Sequence, residues 1–150
     1  MARKTPAQRE SMLNTLKALR IRKAVNAVAK DFQLMIRAEA ADENGIVTCC
    51  SCGVTQHYSR VDAGHFISRA NHATIFNERN CHPQCKHCNR FPTSETAARY
   101  EEFMQEKYRS NVVRELIRLS KTVKKWTYDE LVDLRIEFKA RARKAKKRLG

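Results

Sequence analysis

The sequence predicts an α+β protein that is mostly α-helical: a long N-terminal helix, a small cysteine-rich core, and C-terminal helices that end in a basic tail. Three observations carry this expectation. Residues 5–41 lack glycine and repeat apolar side chains at helical spacing. Residues 46–92 lose that period and hold all six cysteines and all five histidines. From Thr93 onward the helical period returns.

The first helix follows from Thr5-Pro6, an N-cap type followed by a proline suited to the first helical position. Its apolar positions are Leu13, Leu16, Ile21, Ala24, Val25, Val28, Phe32 and Met35, read as one long helix or two joined end to end. Asp42-Glu43-Asn44-Gly45 stops it. Within the middle region, "VDAGHFI" (61–67) suits one arm of a hairpin, with Gly64 suggesting a bend or bulge. Further on, Ala97, Tyr100, Phe103, Met104 and Tyr108 form one stripe, and Val112, Val113, Leu116 and Ile117 form another after Ser110-Asn111. The last helix opens at "WTYDEL", where Thr127 and Glu130 have capping-box spacing. The expected organisation is a helical segment over 1–45, a cysteine-rich core over 46–95 and a helical region over 96–150, all in one domain.

Thirty Lys and Arg against sixteen Asp and Glu give a net charge of +14, the electrostatic footprint of a polyanion binder. No long apolar run or leader-like N-terminus is present, so the reading is soluble, cytoplasmic and without a membrane partner, and nucleic acid is the leading partner. Basic residues gather at both ends. Arg3, Lys4, Arg9, Lys17, Arg20, Arg22 and Lys23 mark the first helix, and Lys139, Arg141, Arg143, Lys144, Lys146 and Lys147 mark the tail. The tail residues are candidates for phosphate contact.

Cys49-x-x-Cys52 and Cys85-x-x-Cys88 are two pairs at metal-knuckle spacing, and together they offer the four thiolates of a structural Zn²⁺ site. Gly53, directly after Cys52, supports this register because a knuckle often needs positive φ there; Asn89 after Cys88 can serve the same way. Cys50 and Cys81 are left over. The 32 residues between the two pairs exceed the span of a simple zinc ribbon, so something is inserted, and it contains "DAGH".

Phosphodiester hydrolysis needs a base for water, a cation for the phosphate and a group that holds the base. The order His65, Asn80, Cys85-x-x-Cys88-Asn89 resembles the HNH, or ββα-metal, nucleases that carry a four-cysteine zinc. The blocks "CCSCG", "DAGHF", "FNERN", "H-x-QC-x-x-CN" and "KKWTYDEL" look like the NinG/Rap family of phage recombination endonucleases, over residues 46–150 with a weaker echo at "AVNA". That resemblance implies an endonuclease acting on branched DNA such as Holliday junctions and D-loops, in the host cytoplasm, with Mg²⁺ or Mn²⁺ at the catalytic centre and zinc kept structural. A homodimer would suit paired incisions, but no interface stripe can be told from core.

Carried over by position, the resemblance makes His65 the general base, Asp62 a metal ligand or orienting carboxylate, and Asn80 the central asparagine. It places His82 and Asn89 nearest the catalytic metal. Bland alternatives stand beside these: a capping bond for His82, the left-handed residue of the knuckle for Asn89, and an ion pair with Glu78 for Arg79 rather than a phosphate contact. The family commonly continues CN-x-x-x-SGN, whereas this chain reads "CNRFPTSE", so Glu95 is either a metal carboxylate or part of an altered helix cap. His57, His72 and His87 fall outside the family blocks. The rival reading is a zinc-stapled DNA-binding recombination factor without catalysis, which would have no use for His65 with Asn80.

Overall fold

The computed structural model describes residues 5–149. Helix α1 runs unbroken from Pro6 to Ala40. Arg3 and Lys4, and the side chains of Arg9, Leu13 and Leu16, lie outside what is described. The remaining stripe behaves as its spacing requires, with Val25, Val28, Phe32 and Met35 all buried. Asp42 then turns the chain, its Oδ1 accepting from the backbone N–H of Asn44 and of Ile46 at 2.9 Å each.

Two small antiparallel hairpins follow. Strands β1 (Ile46–Thr48) and β2 (Thr55–His57) form the first, and β3 (Asp62–His65) and β4 (Cys81–Gln84) the second. The register of the second is continuous, Asp62 opposite Gln84 and His65 opposite Cys81. The bend or bulge expected at Gly64 is therefore absent. Glycine leaves room there for the Gln84 side chain, which would have to shift if a Cβ stood at that position. Helix α2 (Lys86–Arg90) follows β4 directly, completing a ββα unit.

Helix α3 (Ser94–Ser120) is broken at Arg109, whose φ of 62° and ψ of 173° lie outside the helical region. The break falls one residue before the Ser110-Asn111 boundary expected from the two stripes. On either side of it, Val113 and Leu116 of the second half share one core cluster with Tyr100 and Met104 of the first. Thr93 caps α3 through a capping box with Thr96. Thr127 and Glu130 form the expected capping box of α4 (Tyr128–Arg148).

Helices α1 and α4 lie side by side and parallel, sealing the main core with the β3–β4 hairpin. Phe32 packs tilted against Phe138 at 5.1 Å and edge-to-face against Phe76 at 5.7 Å between ring centroids. Ala142 and Ala145 continue the buried face of α4 to its end. Arg148 donates to the carbonyls of Ala38, Glu39 and Ala41, where α1 finishes. The basic tail is thus half of a packed helix pair. The chain is α+β and mostly α-helical, and no helix among the described residues is long and apolar enough to cross a membrane.

Candidate functional site

The four cysteines of the two knuckles come together. Gly53 has φ of 76° and donates to the Cys49 carbonyl at 2.9 Å, which closes the first knuckle. The second is the start of α2, where the Cys85 sulfur accepts from the Cys88 N–H at 3.4 Å. Cys50 N–H donates to the Pro83 carbonyl at 3.0 Å, tying the first knuckle to β4 just ahead of the second. The sulfurs of Cys49, Cys52, Cys85 and Cys88 all lie within 4.8 Å of one another, and Cys52 and Cys85 are 3.8 Å apart. A tetrahedral shell with Zn–S of about 2.3 Å has edges of about 3.8 Å, so the cluster could hold a zinc ion.

The electrostatics favour a cation there. Burial opposes ionisation of Cys49, yet backbone N–H bonds pull its thiol down to about 7. Burial pushes Cys88 up, and the charge of its neighbours Cys49 and Cys85 adds to the push. Four thiolates can share this volume only around a positive centre. Cys50 and Cys81 stand apart from the cluster, their thiols raised by burial, Cys50 to about 12.

Asp62 opens β3, and Asn89 and Arg90 lie on α2 above it. Asn89 Nδ2 donates to Asp62 Oδ2 at 3.0 Å, and Arg90 Nε donates to the same oxygen at 3.1 Å. Burial alone would raise the Asp62 carboxyl, but the bonds from Arg90 and Asn89 outweigh it and hold it below the usual range. Asn89 does not take the left-handed conformation expected of a knuckle residue. Its N–H donates to the Cys85 carbonyl at 3.0 Å within α2, which aims the side chain at Asp62. Turned about its terminal bond, the amide presents an oxygen instead. Two oxygens about 3.0 Å apart span one edge of an octahedron with metal–oxygen distances near 2.1 Å, so with the amide turned the pair could supply two ligands to a hard dication.

His65 closes β3. Its Nε2 lies 2.9 Å from the Ile75 carbonyl. A carbonyl can only accept, so Nε2 carries the proton and the neutral ring bears its lone pair on Nδ1. The Cys81 sulfur approaches that nitrogen at 3.9 Å. Burial lowers the His65 pKa, the Ile75 bond opposes this, and the charge of Arg69 reinforces it. His65, Asp62, Asn89, Arg69 and Arg90 all line one cleft of about 690 Å³.

Asn80 is fully buried and sits behind the cleft. Its Oδ1 accepts from Ile67 N–H at 2.7 Å, and its Nδ2 donates to the carbonyls of Ile67 at 3.0 Å and Thr74 at 3.1 Å. Every bond the amide makes staples the loop that runs from β3 past Ile75, so Asn80 acts on His65 through Ile75.

His82, expected beside the catalytic metal, is not brought there. It faces α3, with Nδ1 3.1 Å from the Tyr100 hydroxyl and Nε2 2.8 Å from that of Tyr108. Both nitrogens are engaged, and burial, aided by the charge of Lys107, drops its pKa to about 4. Tyr100 in turn donates to the Gly64 carbonyl at 2.7 Å. His82 is a core histidine bridging α3 to the hairpin.

Other expected residues divide similarly. Glu95 lies in the first turn of α3, paired with Arg99 at 2.6 Å, and is not among the cleft-lining residues. Arg79 pairs with Glu115 at 3.1 Å rather than with Glu78. Arg141 is held by Glu39 at 2.7 Å and by Glu78, so its charge is satisfied within the fold. Lys139, Arg143, Lys144, Lys146 and Lys147 are exposed. His57 bonds Ser59 at 2.7 Å, and His72 and His87 are exposed. The sequence reading missed Arg69, Gln84 and Arg90, which share the cleft; the run Asn89-Arg90 placed Arg90 beside a nominated ligand and was the available signal.

Comparison with curated proteins and comparison with solved structures each returned no match. The family model described as Bacteriophage Lambda NinG protein matches residues 1–148, nearly the whole chain. With the four-cysteine cluster and the ββα unit in place, that match identifies the chain as a member of the bacteriophage lambda NinG protein family.

Proposed function

We propose that the chain is a metal-dependent DNA endonuclease that hydrolyses phosphodiesters in branched recombination intermediates, such as Holliday junctions and D-loops, in the cytoplasm of the phage host. One observation carries the reading. The neutral His65 imidazole, whose Nδ1 is met only by the weak Cys81 thiol donor at 3.9 Å, lines one polar cleft with a carboxylate and a carboxamide 3.0 Å apart. Membership of the NinG family and a net charge of +14 support the substrate class.

In this reading Cys49, Cys52, Cys85 and Cys88 hold a structural Zn²⁺, whose closed shell leaves no position for substrate. Asp62 and Asn89 would hold Mg²⁺ or Mn²⁺, which would supply charge stabilisation to the phosphate and the departing 3′ oxygen. His65 Nδ1 exchanges its weak Cys81 thiol contact for the attacking water and takes its proton, while the Ile75 carbonyl keeps the ring oriented and the tautomer fixed. Asn80 keeps Ile75 in place. Arg69, on the cleft wall, holds a phosphate oxygen and disfavours a second positive charge on the imidazole before water arrives.

The deciding assay compares a labelled Holliday junction with a matched linear duplex, in Mg²⁺, Mn²⁺ or EDTA. Cleavage is expected on the junction with either dication and none in EDTA. His65→Ala should bind the junction like wild type and cut it roughly 10²- to 10⁴-fold more slowly, the usual cost of a lost general base. Wild-type protein that cuts no branched substrate with any dication would replace the enzyme with a non-catalytic recombination factor.

A further inference from the structure

Arg90 and the proposed metal pair converge on one carboxylate. Its Nε donates to Asp62 Oδ2 at 3.1 Å and its Nη2 to Oδ1 at 3.4 Å, while Asn89 reaches the same Oδ2 at 3.0 Å. The Arg90 side chain is 57% exposed and that of Asp62 22%. A dication at Oδ2 would sit beside the guanidinium with like charge, and the two compete for the same lone pairs. The guanidinium fork matches a phosphate as well as it matches a carboxylate. Arg90 is one residue beyond Asn89 on the same short helix, so once released it remains within a side chain's length of the cleft.

We propose that Arg90 is an exchangeable phosphate-binding residue: a dication binding at Asp62 and Asn89 displaces its guanidinium from the carboxylate, and the freed guanidinium takes a DNA phosphate oxygen at the cleft mouth. This rests on the reading of Asp62 and Asn89 as the metal pair. The exchange makes metal and DNA cooperative ligands, because each favours the state in which Arg90 has left Asp62. A purely orienting role for Arg90 has the opposite sign, since removing it would loosen the carboxylate and weaken metal binding.

The test uses the zinc-loaded full chain in a His65→Ala background, which slows cutting enough for equilibrium measurements. Mn²⁺ binding is followed by the electron paramagnetic resonance of the free ion, with and without a Holliday junction. With Arg90 present, the junction should tighten Mn²⁺ binding by about fivefold or more, and Mn²⁺ should tighten junction binding by the same factor. Arg90→Gln should bind Mn²⁺ about fivefold more tightly without DNA and should show a correspondingly smaller mutual effect. Unchanged or weaker Mn²⁺ binding by Arg90→Gln overturns the exchange. Asp62→Asn separates the two levels of the argument. If it abolishes Mn²⁺ binding while Arg90→Gln fails to strengthen it, only the exchange falls; if it leaves Mn²⁺ binding unchanged, the metal pair is wrong and the exchange falls with it.

Discussion

His65 donates through Nε2 to the carbonyl of Ile75 across 2.9 Å, and Ile75 belongs to the loop that Asn80 staples. The proposed base is therefore oriented by backbone that a buried amide holds in place. Perturbing the ring, the amide or the surrounding charge should have separable effects.

The pH dependence of cleavage tests the ring. Its base form is neutral, so activity should rise with pH and level off once the imidazole has lost its proton. Burial places that transition below the ordinary value of 6.5 for histidine. The acid limb of kcat/KM on a junction should accordingly have its midpoint below about 6.5, and Arg69→Gln should move it upward by removing a neighbouring positive charge. A wild-type midpoint above 7 would assign the base to another group.

Asn80→Ala leaves the Ile67 N–H and the Ile67 and Thr74 carbonyls without their amide partner, the Thr74 bond fully buried and the two Ile67 bonds part-buried. At about 1–3 kcal/mol for a buried group left unsatisfied, and less for the part-buried ones, the variant should lose roughly 2 kcal/mol or more of stability in denaturant unfolding. Cleavage should fall through misplacement of Ile75, with zinc content unchanged. A variant with wild-type stability and a lost rate would instead put the amide in the chemistry.

Metal content tests the cluster. Purified protein should carry about one zinc per chain, and Cys85→Ser should lose zinc and fold together, because one ligand of a four-thiolate shell is removed. Cys50→Ala and Cys81→Ala, which lie outside the cluster, should keep the ion. Folded wild-type protein without zinc by elemental analysis would refute the assignment.

His82 makes stability depend on acid. Its folded pKa of about 4 is below the unfolded 6.5, so the unfolded chain takes up the proton first, and stability present above 6.5 is lost as pH falls toward 4. Between pH 7.5 and pH 5 this one group should cost roughly 2 kcal/mol. His82→Gln, which cannot titrate, should show a correspondingly smaller drop in unfolding free energy over that interval. Equal drops in both proteins would mean that the ring is solvated when folded.

Much of this architecture was legible in residue order, and the failures share a cause. Helices α1 and α4, the break in α3 and the cysteine cluster follow from periodicity, capping residues and spacing, all of which are local. Gly64 and His82 were misread because each depends on a neighbour far along the chain: Gln84 packs over Gly64, and Tyr100 and Tyr108 claim both nitrogens of His82. The α3 stripe was recognised as core, but β4, its partner, is a four-residue strand with a proline in it and no alternating pattern to announce it. Asp62 and Asn89 were nominated one by one. Their contact, with Arg90 added, is a product of the ββα turn and has no sequence signature of its own.

The basic tail is tested by charge removal, because truncation would confound two roles. Residues 139–150 include Ala142 and Ala145, which are buried against the body, and Arg141 and Arg148, which bind Glu39, Glu78 and the end of α1. Deleting them would unseat α4 whether or not it touches DNA. Lys139, Arg143, Lys146 and Lys147 are exposed, and replacing all four with Gln should leave thermal stability close to wild type. If they contact phosphates, the slope of log K against log salt for junction binding should flatten by about 0.9 for each phosphate no longer neutralised. Arg141→Gln should behave in the reverse way, lowering stability with little change in slope, because its charge is already spent on Glu39 and Glu78. An unchanged slope in the fourfold variant would remove this face from the DNA interface and direct the next charge removal to the exposed Lys17, Arg20, Arg22 and Lys23 of α1.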